Sequence, residues 1–274
     1  MIRTLKINNV KIKPIDFEYN TTGKEVRGKE YFSEPYGNCF IVAKKKSGKS
    51  TVIANLLKKL AGRDTKIIIF CATVNKDDTY KHIQEHFEKK GNTVITYTSI
   101  KEGGNDNLND ILEMLRGGDD ETDEEEEAEK LDFIITNETK EKKKRKKREE
   151  KLLSPEIIFV FDDLSKELRY PSVATLLKSN RHYKSKVIMS SQYLYDLKPE
   201  SIRQLDYMLV FSGQTMDKLE KIHEGADLSL PFDTFVQYYN YATNKRFNFL
   251  YIDTTNEHYR KNFNEEILFS NPLL

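Results

Sequence analysis

Cysteine is scarce in this sequence, with only Cys39 and Cys71 among 274 residues. Two cysteines cannot form the framework of a disulfide-stapled secreted domain, and both lie in or beside apolar runs, so we expect reduced core residues. The chain also lacks a continuous run of the ~20 apolar residues that a membrane span requires. Its start, Met1–Asp16, alternates apolar with charged residues and has no signal-peptide core. We therefore expect a soluble, intracellular protein with no membrane partner.

An excess of charge of one sign is also missing, because 45 Lys and Arg residues accompany 44 Asp and Glu residues and the net charge is +1. The charges are nevertheless segregated along the chain. The segment Asp119–Lys151 holds 14 acidic and 10 basic residues, which leaves a net charge of +5 on the remainder. A mildly basic remainder permits a polyanionic partner but does not require one.

The stretch 117–151 has too few apolar residues to contribute to a core. It contains GGDDETDEEEEAEK and then KKKRKKR, so we expect a charged, disordered insertion. Its basic block, Lys142–Arg148, is interpreted either as part of a solvated insertion or as a nuclear-import signal or DNA tether. The neighbouring acidic block favours the solvated insertion, because it competes for the same lysines.

Short runs rich in Ile, Val and Phe alternate with amphipathic stretches, a rhythm typical of strands and helices around a largely parallel sheet. The runs predict strands at Asn38–Val42, Lys66–Phe70, Thr93–Tyr97, Ile157–Phe161, Lys186–Ser190 and Tyr207–Phe211. Helices are predicted at Lys49–Leu60, Asp78–Lys89, Leu108–Leu115, Ser172–Ser179, Pro199–Gln204 and Thr215–His223. The run Ile157–Phe161 is apolar on both strand faces, as an interior strand covered by helices must be.

The length and the 38% hydrophobic content predict a single α/β domain over 1–274. An irregular or β-rich arm, 1–35, precedes the first core strand. After Pro231 aromatic and polar residues alternate in TFVQYYNYA and KRFNFLYIDTT. This pattern predicts an antiparallel hairpin on the sheet edge, within a β-rich C-terminal extension, 231–274.

A phosphate-binding loop is the strongest motif in the chain. Its residues follow a predicted strand and open a predicted helix: Ala43, Lys44, Lys45, Lys46, Ser47, Gly48, Lys49, Ser50 and Thr51. Backbone N–H groups in such a loop, together with the helix N-terminus, favour the phosphates of ATP. Lys49 is expected to reach the β- and γ-phosphates and the Ser50 hydroxyl to ligate Mg²⁺. Ala43 stands where the motif usually has glycine, a position that requires a small residue more than an unusual φ.

Paired carboxylates follow the apolar run Ile157–Phe161, and they supply a second motif. In P-loop NTPases a carboxylate at the end of an apolar strand orders the metal, and we expect that strand beside the loop strand. Asp162 takes the metal role. Asp163 is placed to orient or deprotonate the attacking water, a task more often given to Glu. The alternative is that the pair simply caps a turn.

A third feature is the run Lys186–Gln192, a predicted strand that delivers polar side chains at its C-terminal end. Ligands bind at that end of open α/β sheets. Gln192 is therefore a candidate sensor of the γ-phosphate or a residue that positions water. A Gln that satisfies loop backbone groups is the alternative.

These segments together resemble the genome-packaging ATPases of large DNA viruses and virophages, the poxvirus-type branch of the FtsK–HerA superfamily. The distinctive part is the block Asn180–Tyr183 before the strand that ends at Ser191 and Gln192, and then Asp196-Leu197 and Ile202-Arg203. The resemblance covers about Asn38 to Phe211. Three features depart from it: Ala43, Asp163 in place of Glu, and the charged insertion.

The resemblance implies a RecA/ASCE-like P-loop fold and a motor that uses ATP and Mg²⁺ to translocate double-stranded DNA into a viral capsid. It also implies a ring homo-oligomer, usually a hexamer, with capsid vertex proteins as further partners. The location would be the host cytoplasm, a viral factory or the virion. Lys49, Ser50, Asp162 and Gln192 then take the binding, metal and sensor roles.

Arg181 is the position that the resemblance assigns to an arginine acting on the site of a neighbouring subunit. Arg203 is the second candidate, and a surface ion pair is the alternative for either residue. Two other functions remain open: a P-loop ATPase of another kind, such as a DNA helicase or a kinase, and a hydrolysis-deficient P-loop subunit that serves as a scaffold.

Overall fold

A nine-stranded mixed sheet organises the structure, a computed structural model that describes residues 25–117 and 152–268. The strands are β1 (Glu25–Val26), β2 (Asn38–Val42), β3 (Lys66–Cys71), β4 (Val94–Tyr97), β5 (Lys101–Glu102), β6 (Asn105–Asp106), β7 (Leu152–Leu153), β8 (Ile157–Asp162), β9 (Ser185–Ser191), β10 (Tyr207–Phe211), β11 (Phe249–Asp253), β12 (His258–Lys261) and β13 (Glu265–Glu266). The helices are α1 (Lys49–Leu60), α2 (Asp78–Lys90), α3 (Asn107–Gly117), α4 (Pro171–Ser179), α5 (Pro199–Ile202), α6 (Met216–Gly225) and α7 (Phe232–Ala242). Single 3₁₀ turns lie at Glu167–Arg169 and Leu194–Asp196.

The order across the large sheet is β13-β12-β11-β10-β2-β9-β8-β3-β4. The six strands from β10 to β4 are parallel, and β11, β12 and β13 continue the sheet as antiparallel strands. The strand that ends at Asp162, β8, is not adjacent to the loop strand β2, because β9 lies between them. The expected direct adjacency is therefore wrong, and Asp162 lies two strand spacings from the loop strand.

Helices cover both faces of the sheet, and the alternation within each strand divides the core in two. On β2, Phe40 and Val42 point into one apolar cluster, whereas Cys39 and Ile41 point into the other. Helices α3 to α7 contribute to the first cluster, and α1 and α2 to the second. Strand β8 is buried along its whole length, which confirms the interior position predicted from Ile157–Phe161.

The amphipathic pattern of α1 shows why these helices form. Ile53, Leu56, Leu57 and Leu60 recur at helical spacing and are all fully buried against the sheet. The predicted strands and helices between Asn38 and His223 are present, with ends that differ by at most two residues. The α/β architecture with a mostly parallel centre is confirmed.

The C-terminal antiparallel strands are also confirmed, but one half of the predicted hairpin is wrong. TFVQYYNYA forms helix α7 instead of a strand, because Phe235, Tyr238, Tyr239 and Ala242 are the buried positions and they follow helical spacing. The second half contains β11, which pairs with β10 and with β12. The hairpin at the sheet edge is therefore β11–β12.

Several sequence predictions fall partly or wholly on residues that the structure does not describe. Residues 1–24 of the predicted arm, residues 118–151 of the charged insertion and residues 269–274 lie outside the described ranges. The described end of the arm packs on the domain: β1 pairs with β7, and Phe32 is fully buried against Tyr207. No helix in 25–117 or 152–268 is long and apolar enough to cross a membrane.

Candidate phosphate-binding site

The predicted phosphate loop lies between the end of β2 and the start of α1, as the motif requires. Ala43 is fully buried, its φ is not positive, and its N–H donates to the Ser191 carbonyl at 2.9 Å. The small side chain therefore fits a packed position, and this backbone conformation does not require glycine. Lys44, Lys45 and Lys46 are exposed, which gives the loop a cationic outer surface.

The turn into α1 depends on two residues with left-handed backbone. Lys46 has φ of 60° and Gly48 has φ of 91°, and Gly48 is the residue before the first helical residue. The Ser47 hydroxyl, between them, is buried and has no hydrogen-bond partner among the described residues. A buried hydroxyl without a partner costs free energy, so this atom suits a ligand oxygen bound in the loop.

Lys49 joins the loop to both carboxylates of the second motif. Its Nζ lies 2.7 Å from Asp162 Oδ1 and also donates to Asp163 Oδ1. Burial by itself lowers the pKa of Lys49, but the two carboxylates raise it above its ordinary value, so the ammonium group remains charged. The three groups predicted separately from the sequence thus form one cluster.

Asp162 and Asp163 have different surroundings although they are adjacent in sequence. Asp162 is buried, and it accepts hydrogen bonds from the Ser190 hydroxyl and from the Tyr80 hydroxyl, the latter at 2.7 Å. Asp163 is partly exposed and has φ of 57°. One carboxylate is therefore fixed by several donors, whereas the other faces the solvent side of the site.

Tyr80 and Ser190 were not among the residues predicted for the site. Ser190 was included only as the end of a predicted strand, and a Ser in a strand carries no separate signal. Tyr80 lies in α2, which follows β3, and the position of α2 over Asp162 depends on the strand order. Burial and the charge of Asp162 raise the pKa of Tyr80 well above its ordinary value, so its hydroxyl remains a donor.

The other loop and sensor candidates also lie at the carboxyl ends of the parallel strands, which we call the carboxyl edge of the sheet. Ser50 and Thr51 follow Lys49 in the first turn of α1, with Ser50 half-buried and Thr51 exposed. Gln192 is half-buried and directly follows Ser191, whose carbonyl is bonded to Ala43. Because β9 is between β2 and β8, Gln192 emerges between the phosphate loop and the Asp pair.

Arg181 and Arg203 lie at the amino ends of the parallel strands, the amino edge of the sheet. Arg181 precedes β9, and its guanidinium is 3.8 Å from Asp206, whose carboxylate accepts from the N–H of Asn38 at the start of β2. Both arginines are exposed and line an open cavity of about 620 Å³. Since β2 rises ~3.3 Å per residue, about 13 Å of strand separates this edge from the phosphate loop of the same chain.

The donors at the candidate metal site fit Mg²⁺. Ser50 and Asp162 offer hydroxyl and carboxylate oxygen atoms, which Mg²⁺ prefers. Within the described ranges no group of three or more His, Cys, Asp or Glu side chains could hold a metal ion.

Comparisons with known proteins agree with this fold. No protein-family model matches the sequence, and no curated protein matches it. Among solved structures, the genome-packaging NTPase B204 from Sulfolobus turreted icosahedral virus 2 in complex with AMP is 19% identical, covering 83% of this chain and 96% of its own, with a TM-score of 0.52. B204, described as the DNA-packaging ATPase from Sulfolobus turreted icosahedral virus, is 17% identical over 82% of this chain and 95% of its own, also with a TM-score of 0.52. The chain therefore has the α/β fold of the viral packaging ATPases that its sequence resembles.

Proposed function

We propose that this protein is an ATP-hydrolysing motor that translocates double-stranded DNA into a viral capsid and works as a ring homo-oligomer. The observation that carries the proposal is the cluster of Lys49, Asp162 and Asp163 beside the phosphate loop. The fold of this chain is similar to that of two proteins named as a genome-packaging NTPase and a DNA-packaging ATPase. This similarity supports ATP hydrolysis as the reaction and DNA as the substrate.

The loop binds the triphosphate through its backbone N–H groups and the N-terminus of α1. The buried Ser47 hydroxyl gains an acceptor oxygen from a phosphate. The triphosphate also gives the Lys49 ammonium a new anionic partner in competition with Asp163. Binding therefore frees the Asp163 carboxylate, which is the group we assign to the attacking water.

Ser50 and Asp162 are the residues that would hold Mg²⁺, which supplies charge neutralisation at the phosphate oxygens when it is bound. Asp162 can keep one orientation because Tyr80 and Ser190 both donate to it. Asp163 accepts the proton of the attacking water, and Gln192 contacts the γ-phosphate or that water. Strand β9 lies between the loop strand β2 and the Asp strand β8, and Gln192 directly follows it. This strand order supports the RecA/ASCE class, which is part of the proposal.

The arginine of the site comes from another subunit. Arg181 is too far from its own phosphate loop to act there, but a head-to-tail interface brings the opposite edges of two sheets together. Repetition of such an interface closes into a ring when the rotation fits, and we propose a hexamer. The same proposal includes Mg²⁺ as the cofactor, with DNA and capsid vertex proteins as partners. It places the protein in the host cytoplasm, a viral factory or the virion.

Steady-state ATP hydrolysis with and without duplex DNA tests the proposal. We expect Mg²⁺-dependent turnover that duplex DNA stimulates. Lys49→Ala should abolish turnover, because it removes the ammonium group that contacts the phosphates. The substitution also leaves buried Asp162 without its cation, so circular dichroism and thermal melting are needed to show that the variant is folded. Parental turnover in this variant would contradict the phosphate-loop assignment.

The same assay separates the alternatives. Turnover that depends on a small phosphate acceptor but not on DNA would indicate a kinase, and stimulation by single-stranded DNA with strand separation would indicate a helicase. Binding of ATP without any turnover would indicate a scaffold subunit. Each of these results would replace the packaging motor as the conclusion.

A further inference from the structure

Phe247 is an exposed aromatic residue that lies against the phosphate loop. A methyl group built on Gly48 would be 3.2 Å from Cδ1 of Phe247, so the ring is next to the residue that precedes α1. Phe247 belongs to the connection between α7 and β11, and β11 pairs with β10. Strand β10 flanks β2 on the side away from β9, so the ring lies on the other side of the loop from the Asp pair.

The conformation of Phe247 is one that a bulky residue seldom adopts. Its φ is 70°, and 51% of its surface is exposed. A bulky side chain with positive φ is strained, and the exposed half of this residue contributes no burial free energy to offset the strain. A half-exposed aromatic ring held in this way beside the phosphate loop is available to a ligand.

A guanidinium group lies against the ring, and a lysine of the phosphate loop lies against the loop after β10. The Arg246 guanidinium carbon is 4.6 Å from the centre of the Phe247 ring, and Lys44 lies along Gly213 in the next loop. A planar ligand would match the exposed face of the ring.

We infer that Phe247, with Arg246, is the stacking platform for the nucleobase of the bound nucleotide, a role that rests on the proposed function. The phosphate loop fixes the phosphates next to Gly48, and the ribose carries the base outward from them. Phe247 is the exposed ring that meets the loop on the side not used by the carboxylates. Stacking is available to every nucleobase, so this platform does not select among bases.

Competition between a nucleotide and a ligand without a base tests this role. Binding of a non-hydrolysable ATP analogue and of inorganic tripolyphosphate would be measured by calorimetry for the parental protein, Phe247→Ala and Phe247→Tyr. We expect Phe247→Ala to weaken the analogue about 5- to 100-fold, which is the range of single base-stacking losses, and to leave tripolyphosphate unchanged. Phe247→Tyr keeps an aromatic face and should bind both ligands as the parent does.

Tyr241→Ala is the matched control, because Tyr241 is also an exposed aromatic, with 52% exposure, but lies in α7. It should change neither affinity. Equal weakening of both ligands in Phe247→Ala would show that the ring only supports the loop, and an unchanged affinity for the analogue would show that it contacts no base. Either result overturns the inference while leaving the phosphate-loop assignment standing.

The absence of tryptophan from the chain permits a direct optical test. Phe247→Trp places a single indole at the proposed platform, and stacking of a base should quench its fluorescence. We expect quenching by the ATP analogue, none by tripolyphosphate and none by either ligand in Tyr241→Trp. Failure of both ligands to bind the parental protein would instead contradict the proposed function, and this inference with it.

Discussion

Asp162 and Asp163 have identical side chains but different environments, and this difference supports the two tasks proposed for them. The buried Asp162 receives hydrogen bonds from Tyr80, Ser190 and Lys49, so its carboxylate has a fixed direction that suits a metal ligand. Asp163 is partly exposed and shares Lys49, so it can change partners when a nucleotide binds. This difference between the two carboxylates arises at the end of β8. Asp162 is the last residue of the buried strand, whereas Asp163 has positive φ and its side chain is partly exposed.

Replacement of each carboxylate by an amide should separate the two tasks. Asp162→Asn should raise the Mg²⁺ concentration needed for ATP binding about tenfold or more. Asp163→Asn should bind ATP and Mg²⁺ as the parent does but lose about 10²–10⁴-fold in single-turnover hydrolysis, since a general base is lost. Asn tolerates the positive φ at position 163, so the backbone is preserved. Equal loss of nucleotide affinity in both variants would contradict the division.

Lys186 is a charged residue inside the core, at the edge opposite the phosphate loop. It is 1% exposed, its Nζ donates to the Glu34 carbonyl at 2.7 Å, and it lies 4.9 Å from the centre of the Phe32 ring. Burial lowers the pKa of Lys186 to about 8, although nearby Cys39, Asp206 and Glu34 act to raise it. Its charged form is therefore disfavoured by folding.

The stability of the protein should depend on pH through this residue. Between pH 8 and the ordinary pKa of 10.5 the unfolded chain keeps the Lys186 proton and the folded chain does not, so stability from this group rises with pH. Relative to Lys186→Met, the unfolding free energy of the parent should increase by about 1–3 kcal/mol from pH 7 to pH 10. Chemical denaturation of both proteins at several pH values measures this difference. A difference that is constant with pH would show that Lys186 keeps its charge.

At the scale of elements, the sequence predicted what depends on local pattern. The six parallel strands and helix α1 are predictable because their apolar periods and flanking motifs are local, whereas the two-residue strands β5, β6 and β7 have no such pattern. The prediction of a strand at TFVQYYNYA is wrong because it rests on the richness of the segment in aromatic residues, which favour strands. Tertiary packing selected the helix, in which Phe235, Tyr238, Tyr239 and Ala242 face the core. Strand order is not local, so the placement of β9 between β2 and β8 could not be predicted.

Helix α7 is fixed to the end of β10 by the Tyr239 hydroxyl. This hydroxyl donates to the Phe211 carbonyl at 3.1 Å and accepts from the Gln214 N–H at 2.9 Å. Tyr239→Phe removes both bonds in a buried position and should destabilise the fold by about 1–3 kcal/mol. Tyr241→Phe, in the exposed part of the same helix, should change stability by less than about 0.5 kcal/mol. Urea denaturation of the two variants measures the difference, and similar midpoints would show that the Tyr239 bonds contribute nothing.

On the scale of the whole molecule, the two edges of the sheet carry different chemistry. The carboxyl edge holds the phosphate loop and both carboxylates, and the amino edge holds Arg181, Arg203 and their cavity. The sequence indicated each of these residues but not their separation, because that depends on how β2 and β9 align. The separation excludes action of Arg181 on the phosphate loop of its own chain, so any catalytic role requires a second copy.

Mixing two inactive variants tests this dependence on assembly. An arginine acting in trans contributes roughly 10³–10⁵-fold to turnover, so Arg181→Ala should bind ATP normally and hydrolyse it poorly even with DNA. Arg203 lines the same cavity, so Arg203→Ala is the matched control and should retain turnover. In a mixture of Arg181→Ala with Lys49→Ala, some interfaces join an intact loop to an intact Arg181, and partial activity should return. Native mass spectrometry would establish that mixed oligomers form. Parental turnover in Arg181→Ala alone would show that its contact with Asp206 is structural, whereas a mixed oligomer that stays inactive would contradict a site shared between subunits.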